Sequence, residues 1–396
     1  MRTLFSNARL VLKDRIINGS LVVEGSKIKE LVANSSIEGT FDKVIDCKEM
    51  YISPGFVEMH THGAGGFDFM DGTDEAFDTA CLTHMKHGTT TILPTLLAAS
   101  REEIMQTIDA FKSAKVRLVH KGPNLHGLHM EGPYLSLAQC GAIDPKYIRS
   151  PRPEEYEDFL TYGRGAIKRW TYAVENEGAL QFGKRLCEEG ILPSIGHSNA
   201  EYSQVLDAYE QGTTHVTHLY SAMSTITRKG GFRISGVLES AFCIEGMTVE
   251  LIADGCHLPP EILNMVYRLK GVDKVVLISD SMRCAGQDVK ESILGSLSNG
   301  QRVIIEDDVA KMPDRTAFAG SIALNDRLIR VMTKDADVPL YDAITMMSLT
   351  PARILGIGAS KGSLEVNKDA DIVCFDEDIR IQGVMVEGIG MFGNLT

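Results

Sequence analysis

Between residues 54 and 354, short apolar runs alternate with amphipathic stretches, and this alternation constrains the fold more than any other feature of the chain. The strand candidates are Gly55–His62, Thr89–Leu97, Asn124–Gly132, Thr171–Glu177, Ile191–Ser198, Thr214–Tyr220, Thr248–Gly255 and Lys274–Ser281. Most intervals between them carry a helical pattern, as in Asp74–His87, Arg101–Ala114, Ala179–Glu189, Ala200–Gln211 and Pro259–Lys270. Eight strand–helix units in this span suit a closed (β/α)8 barrel of the TIM type better than an open sheet. A further stretch, Ile293–Phe318, reads as a β insertion after the eighth strand, ahead of two last helices.

The two ends have a different texture. Leu4–Leu12, Ile16–Val23 and Ser26–Val32 are β-rich and separated by turn residues such as Asn18-Gly19 and Glu24-Gly25. Near the other end, Gly362–Val366, Ala370–Phe375 and Gly383–Gly388 look alike. Chain termini often lie close together, so the expectation is a small β-sandwich domain formed by both termini. The division expected is 1–53, 54–354 and 355–396, with the barrel in the middle.

The formal net charge of −13 repels polyphosphate backbones, which argues against nucleic acid and anionic membrane surfaces as partners. No apolar run approaches the ~20 residues that span a bilayer. The first residues show no secretory pattern, and the eight cysteines are scattered without a CxxC pair. The expected setting is cytoplasmic, with reduced and mostly buried thiols.

Polar residues fall where a barrel keeps its chemistry, at the carboxyl ends of the strands. The first strand ends His60-Thr-His62, the third His129-Met-Glu131 and the fifth Gly196-His197-Ser198. The sixth ends Thr217-His218-Leu219, the segment after the seventh reads Asp254-Gly-Cys-His257, and the eighth ends Ser279-Asp280-Ser281. Strand side chains alternate faces, so His60 and His62 project to one side and can share a metal. A lone histidine at a strand end is ordinarily a hydrogen-bonded structural residue, but six strand ends each supplying a titratable group are not explained that way. His84, His87, His120, His126 and His215 lie off this pattern and read as structural or solvent-facing. Gly63-Ala-Gly-Gly66 fits neither the dinucleotide nor the phosphate-loop spacing, and no GxSxG nucleophile elbow is present.

Taken in order, Pro54–Gly63, His129-Met-Glu-Gly-Pro133, Gly196-His-Ser198, Thr217-His-Leu-Tyr220, Ala253-Asp-Gly-Cys-His257, Ile278-Ser-Asp280 and Ala319-Gly-Ser321 resemble the amidohydrolase superfamily. Within it they are similar to the N-acetylglucosamine-6-phosphate deacetylases, over nearly the whole chain. The branch of the superfamily that acts on cyclic amides has a carboxylated lysine on strand four, and Thr171–Glu177 offers none.

The resemblance implies that Glu131, His197 and His218 bind one divalent metal and that His60 and His62 supply a second, with Glu131 bridging. One or two ions, zinc or iron, are expected. It implies Asp280 as the proton carrier and His257 as the group that polarises the acyl carbonyl. It places Ala142, Ile143, Ser221, Ala222, Phe318, Ala319 and Gly320 against the sugar, and one of Arg228 or Lys229 against its phosphate, often across a homodimer interface. Arg233 and Arg283 are further cations to consider for that phosphate. The chain departs from the family where substrate would be read: Ile143 stands in place of a histidine, Ser221 in place of an asparagine, and Met282-Arg283 in place of small residues. The activity implied is deacetylation of an N-acetyl amino-sugar 6-phosphate. The alternatives are a galactosamine isomer or an N-acyl amino acid as substrate, or a catalytically inactive scaffold barrel.

Overall fold

The computed structural model describes residues 1–33 and 37–396. Its centre is a parallel sheet that runs Phe56–Thr61, Thr89–Leu97, Leu128–Glu131, Ile167–Tyr172, Leu192–Ile195, His215–Val216, Thr248–Ile252 and Val275–Ile278, each strand paired to the next. The last strand returns beside the first. Asp280 N–H donates to the His60 carbonyl at 3.0 Å, and His62 N–H donates to the Ser281 carbonyl at 2.8 Å. Deeper in this seam the buried Glu58 carboxylate accepts from the backbone N–H of Ser279, at 3.1 Å, and of His60, at 3.0 Å. Burial pushes the Glu58 carboxyl up to about 7, against the pull of those two amides. The barrel expected from the alternation is the fold observed.

Helices cover the outside, and their apolar faces build the main core. Ser100 caps Arg101–Arg117 through a reciprocal pair with Glu103. Thr73 caps Asp74–Lys86. Around the fourth strand, Tyr134, Phe159, Trp170 and Phe182 form a buried aromatic cluster. Within it the Trp170 indole N–H donates to the Gly132 carbonyl at 2.9 Å and so braces the segment after Glu131.

Both termini enter one eight-stranded sheet, in the order Ile389–Gly393, Ile381–Val386, Ile372–Phe375, Tyr51–Pro54, Arg2–Val11, Ile16–Glu24 and Lys27–Ala33. Lys43–Asp46 also pairs with Arg2–Val11, along its first half, while Tyr51–Pro54 takes the second. Between those halves the pairing with Ile16–Glu24 is bulged and Asn7 adopts φ 51°. The sheet folds about its own core of Phe5, Leu10, Leu21, Ile28, Ile52, Ile372 and Met385.

Two differences from the sequence expectation bear on the site. The fourth strand is Ile167–Tyr172, not Thr171–Glu177, so its members include Lys168 and Arg169. Lys168 is partly exposed, whereas Arg169 is fully buried inside the barrel. No lysine of that strand faces the centre; an arginine does. The second difference is a hairpin, Thr227–Lys229 with Phe232–Ile234, standing clear of the sixth strand. The expected β insertion is the antiparallel set Glu291–Leu294, Gln301–Glu306 and Val309–Lys311.

Candidate active site

Alternation brings His60 inward on the first strand, and His62 follows on the same face. Glu131 ends the third strand. His197, His218 and Asp280 each lie just past a strand end in a left-handed conformation, at φ 47°, 27° and 46°. Such backbone strain costs of order 1 kcal/mol or more and persists where the surroundings over-determine it. At Asp280 the surroundings include Gly320, also left-handed at φ 70°, where an added Cβ would lie 2.8 Å from the Asp280 carbonyl.

The six side chains converge as two adjoining groups, His60/His62/Asp280 and Glu131/His197/His218. Glu131 faces both groups, and its Oε1 also lies 3.5 Å from His60 Nε2. Oε1 lies 3.0 Å from His218 Nε2 and 3.3 Å from His197 Nε2, and Oε2 lies 3.2 Å from His62 Nε2. Asp280 Oδ1 is 3.1 Å from His62 Nε2 and 3.4 Å from His60 Nε2. His197 Nε2 and His218 Nε2 stand 3.2 Å apart.

The chemistry of this donor set fits a divalent cation. His197 Nδ1 donates to the Gln139 carbonyl at 2.8 Å, which leaves its Nε2 as a lone pair. His60 Nδ1 faces Glu250 Oε2 at 3.2 Å, and its Nε2 has no hydrogen-bond partner. Lone pairs and two carboxylates thus meet at one centre that calls for positive charge. The acid–base balance says the same. Burial alone would lower His60 and His62, yet Glu131 and Asp280 outweigh it and hold them up at about 9 and about 10. Against burial, His60 and His62 hold the Asp280 carboxyl low, and His60 with His197 and His218 holds that of Glu131 well below the usual range. Protons on the imidazoles or a metal can supply that charge, and imidazole with carboxylate is a common metal-binding set.

A cleft of about 400 Å³ opens above the cluster. His62, Glu131, His197, His218 and Asp280 face into it, and His60 lies beneath. His257 enters from beyond the seventh strand. Its Nδ1 is 2.8 Å from Asp254 Oδ2, and its ring packs edge-on against Phe318, centroids 4.9 Å apart. Burial would raise the Asp254 carboxyl, but the hydrogen bonds from His257 and the Cys256 amide hold it below its ordinary value. Ala142, Ile143, Ser221, Ala222, Phe318 and Gly320 line the walls, while Ala319 is buried behind them.

Not every expected residue reaches the cleft. Arg228 and Lys229 are exposed on the hairpin, where Lys229 Nζ lies 3.5 Å from Glu201 Oε1. Arg233 faces Arg228 across the same hairpin. Arg283 is turned away and buried, bonded to Asp71 at 2.8 and 3.1 Å and to the Gly295 and Ile293 carbonyls. It holds the β insertion against the barrel instead of meeting substrate. Among the described residues that line the cleft there is no lysine or arginine.

Sequence reasoning missed the residues that aim the side chains of the site. Gln139 acts through its carbonyl, which no side-chain pattern reveals. Asp254 stands three residues before His257, and an Asx turn was the signal: its Oδ1 accepts from the Cys256 and His257 amides at 2.9 and 2.8 Å. Glu250 lies inside the seventh strand and had no local signal.

This chain is 30% identical over 381 residues to the N-acetylglucosamine-6-phosphate deacetylase of Bacillus subtilis (strain 168), covering 96% of this chain and 94% of that protein. It is equally 30% identical, over 335 residues, to the N-acetylgalactosamine-6-phosphate deacetylase of Shewanella sp. (strain ANA-3), covering 84% and 81%. Its fold superposes with a TM-score of 0.89 on a mutant N-acetyl-D-glucosamine-6-phosphate deacetylase of Mycobacterium smegmatis in complex with N-acetyl-D-glucosamine-6-phosphate. That pair shares 28% identity over 98% of this chain and 99% of the other. The profile of the amidohydrolase family matches residues 51–389, from the strand that leads into His60 and His62 to the last strand of the terminal sheet. A match of that extent, enclosing every residue of the cluster, means that this chain belongs to the amidohydrolase family.

Proposed function

We propose that this protein is a metal-dependent hydrolase that removes the N-acetyl group from an amino-sugar 6-phosphate, N-acetylglucosamine 6-phosphate first, giving glucosamine 6-phosphate and acetate. The observation that carries the reading is the two-part ligand set under one cleft, in a chain similar throughout to deacetylases of that substrate. Glu131, His197 and His218 would hold one divalent ion and His60, His62 and Asp280 a second, zinc or ferrous iron. When bound, such an ion polarises an amide carbonyl and lowers the pKa of water.

The chain's own residues supply the rest. Asp280, ionised and at the cleft floor, accepts the proton of the attacking water and returns it to the departing nitrogen. That return is needed because an unprotonated amide nitrogen leaves poorly. His257, with Nδ1 committed to Asp254, presents Nε2 to the cleft, and in its protonated form donates there to the carbonyl oxygen as it becomes an oxyanion. Ile143, Phe318 and Leu294 give the cleft an apolar wall against the sugar or acyl group.

The phosphate needs a cation, and the described residues that line the cleft of one chain include no lysine or arginine. The exposed hairpin carrying Arg228 and Lys229 would supply it from a second copy, which makes the working form a homodimer. We place the enzyme in the cytoplasm; no helix among the described residues is long and apolar enough to cross a membrane. We divide the chain at 1–53, 54–354 and 355–396, the middle segment carrying the chemistry.

The equal identity to the N-acetylgalactosamine-6-phosphate deacetylase supports one second reading, the galactosamine isomer. The Ile143 side chain, 5% exposed on the cleft wall, offers no hydrogen bond to a sugar hydroxyl, so epimer choice falls to other contacts. The deciding experiment is acetate release from glucosamine, galactosamine and amino-acid N-acetyl substrates, with and without 6-phosphate, after metal reconstitution. Fast turnover of the phosphorylated glucosamine derivative supports the reading. Equal kcat/KM with and without phosphate on every sugar overturns the sugar-phosphate assignment and leaves the broader hydrolase.

A further inference from the structure

One buried carboxylate touches both ligand groups from below and belongs to neither. Glu250 lies on the seventh strand, fully buried inside the barrel. Its Oε2 is 3.2 Å from His60 Nδ1 and accepts a 3.0 Å hydrogen bond from the His218 backbone N–H. Its Oε1 pairs with the Arg169 guanidinium. Arg169, equally buried, spends its other donors on the Met59 carbonyl at 3.1 Å, Ser194 Oγ at 3.1 Å and Thr217 Oγ1 at 2.9 Å. The pair therefore ties the first, fourth, fifth, sixth and seventh strands together beneath the cluster.

A carboxylate only accepts, so in the neutral ring that can take a cation the contact with Glu250 puts the His60 proton on Nδ1. It leaves Nε2 as a lone pair aimed between Glu131 Oε1 at 3.5 Å and Asp280 Oδ1 at 3.4 Å. His62 has no such support, since its Nδ1 has no hydrogen-bond partner. On the other group Glu250 touches backbone only, while His197 is aimed independently by the Gln139 carbonyl. Arg169 keeps the Glu250 carboxylate below the cluster, where it orients a ligand without becoming one.

We propose that Glu250, anchored by Arg169, is a positioning residue that fixes the tautomer and ring of His60 and so sets the cation affinity of the His60/His62/Asp280 group, independently of the Glu131/His197/His218 group. The inference rests on the two-cation reading above. Outer partners of metal-bound histidines are typically worth 10–100-fold in affinity.

The test is calorimetric titration of the metal-free full-length protein with Zn²⁺, with stoichiometry checked by equilibrium dialysis. Wild type should take two equivalents. Glu250→Gln, which keeps the size of the side chain and removes its charge, should weaken one equivalent about 10–100-fold and leave the other within about threefold. Because an unpaired Arg169 strains the barrel, the Glu250→Gln/Arg169→Met variant is titrated as well, with the same result expected. The tautomer is read directly by ¹⁵N NMR of the Zn²⁺-loaded wild type, where His60 keeps a single proton, expected on Nδ1. Two equivalents at wild-type affinity in the variants, or a His60 carrying its only proton on Nε2, overturn the positioning role while leaving the two-cation reading intact. A single equivalent in wild type overturns both.

Discussion

The Asp280 carboxylate lies 3.1 Å from His62 Nε2, across the seam where the eighth barrel strand meets the first. The contact follows from closure of the barrel: the Asp280 N–H donates to the His60 carbonyl and His62 N–H to that of Ser281, so the two strand ends cannot separate without breaking both. A residue expected only to carry protons is thereby also the third member of a group that could hold a metal ion.

Asp280→Asn should consequently lose two things at once. The amide keeps the shape and cannot accept the water's proton, so kcat for acetate release should fall ~10²–10⁴-fold. Metal content should drop toward one ion per chain, because the neutral amide is a poorer ligand beside His60 and His62. A variant with more than about a tenth of wild-type turnover assigns the proton transfer to another group.

Asp254→Asn tests the aim of His257. The ring depends on Asp254 Oδ2 for its Nδ1 contact and on Asp254 Oδ1 for the turn that carries it. Asparagine can keep the turn but no longer stabilises a charged imidazole. The expected loss is about 10–100-fold in kcat with little change in KM or metal content, since removing an oxyanion partner costs the transition state most. A rise in KM alone would make His257 a substrate-binding residue.

The convergence of the cluster's side chains was legible in the sequence because a barrel gathers strand ends on one rim and strand parity pairs His60 with His62. The fourth strand was misplaced by four residues because Arg169 sits in its middle. A charge inside a strand reads as a break, and the Glu250 that neutralises it lies far along the chain. The sixth strand is only His215–Val216, ended early by the left-handed turn at His218, where an extended run to Tyr220 was expected. The hairpin after it did carry a signal. Gly230-Gly231, both with positive φ, is a two-residue turn between Lys229 and Phe232, overlooked because the flanking residues are too polar to read as strands.

His84 makes stability depend on pH. Buried and hydrogen-bonded through Nε2 to Thr61 Oγ1 at 2.8 Å, it is lowered by burial to about 3. The unfolded imidazole titrates near 6.5. Between those values the unfolded chain binds a proton that the folded chain refuses, so stability falls with acidification from about pH 6.5 downward. The slope from this one group is about 1.4 kcal/mol per pH unit. Urea unfolding of metal-free protein at pH 7, 6 and 5 should show His84→Gln less stable at pH 7 but with a shallower decline, by about one proton. Parallel declines in the two proteins would exclude His84 as a source of the acid sensitivity.

The hairpin makes the last prediction. Arg228 stands opposite Arg233, a like-charge cross-strand pair that disfavours an isolated hairpin, and Phe232 beside them is 77% exposed. An anion from the substrate of a second copy would relieve the repulsion, and apolar surface of that copy would cover Phe232. Replacing Arg228 and Lys229 with alanine should therefore raise KM for the 6-phosphorylated sugar about 10–100-fold, the worth of one charged hydrogen bond. It should leave kcat within a few-fold, because the contact is remote from the scissile bond and serves ground and transition states alike. The unphosphorylated sugar supplies the control: its KM should not move. Diluting the wild-type enzyme below its dimer dissociation constant should reproduce the same selective rise in KM without any substitution. If dilution changes nothing while the double variant loses phosphate preference, the hairpin serves its own chain's cleft, and the dimer is not required for binding.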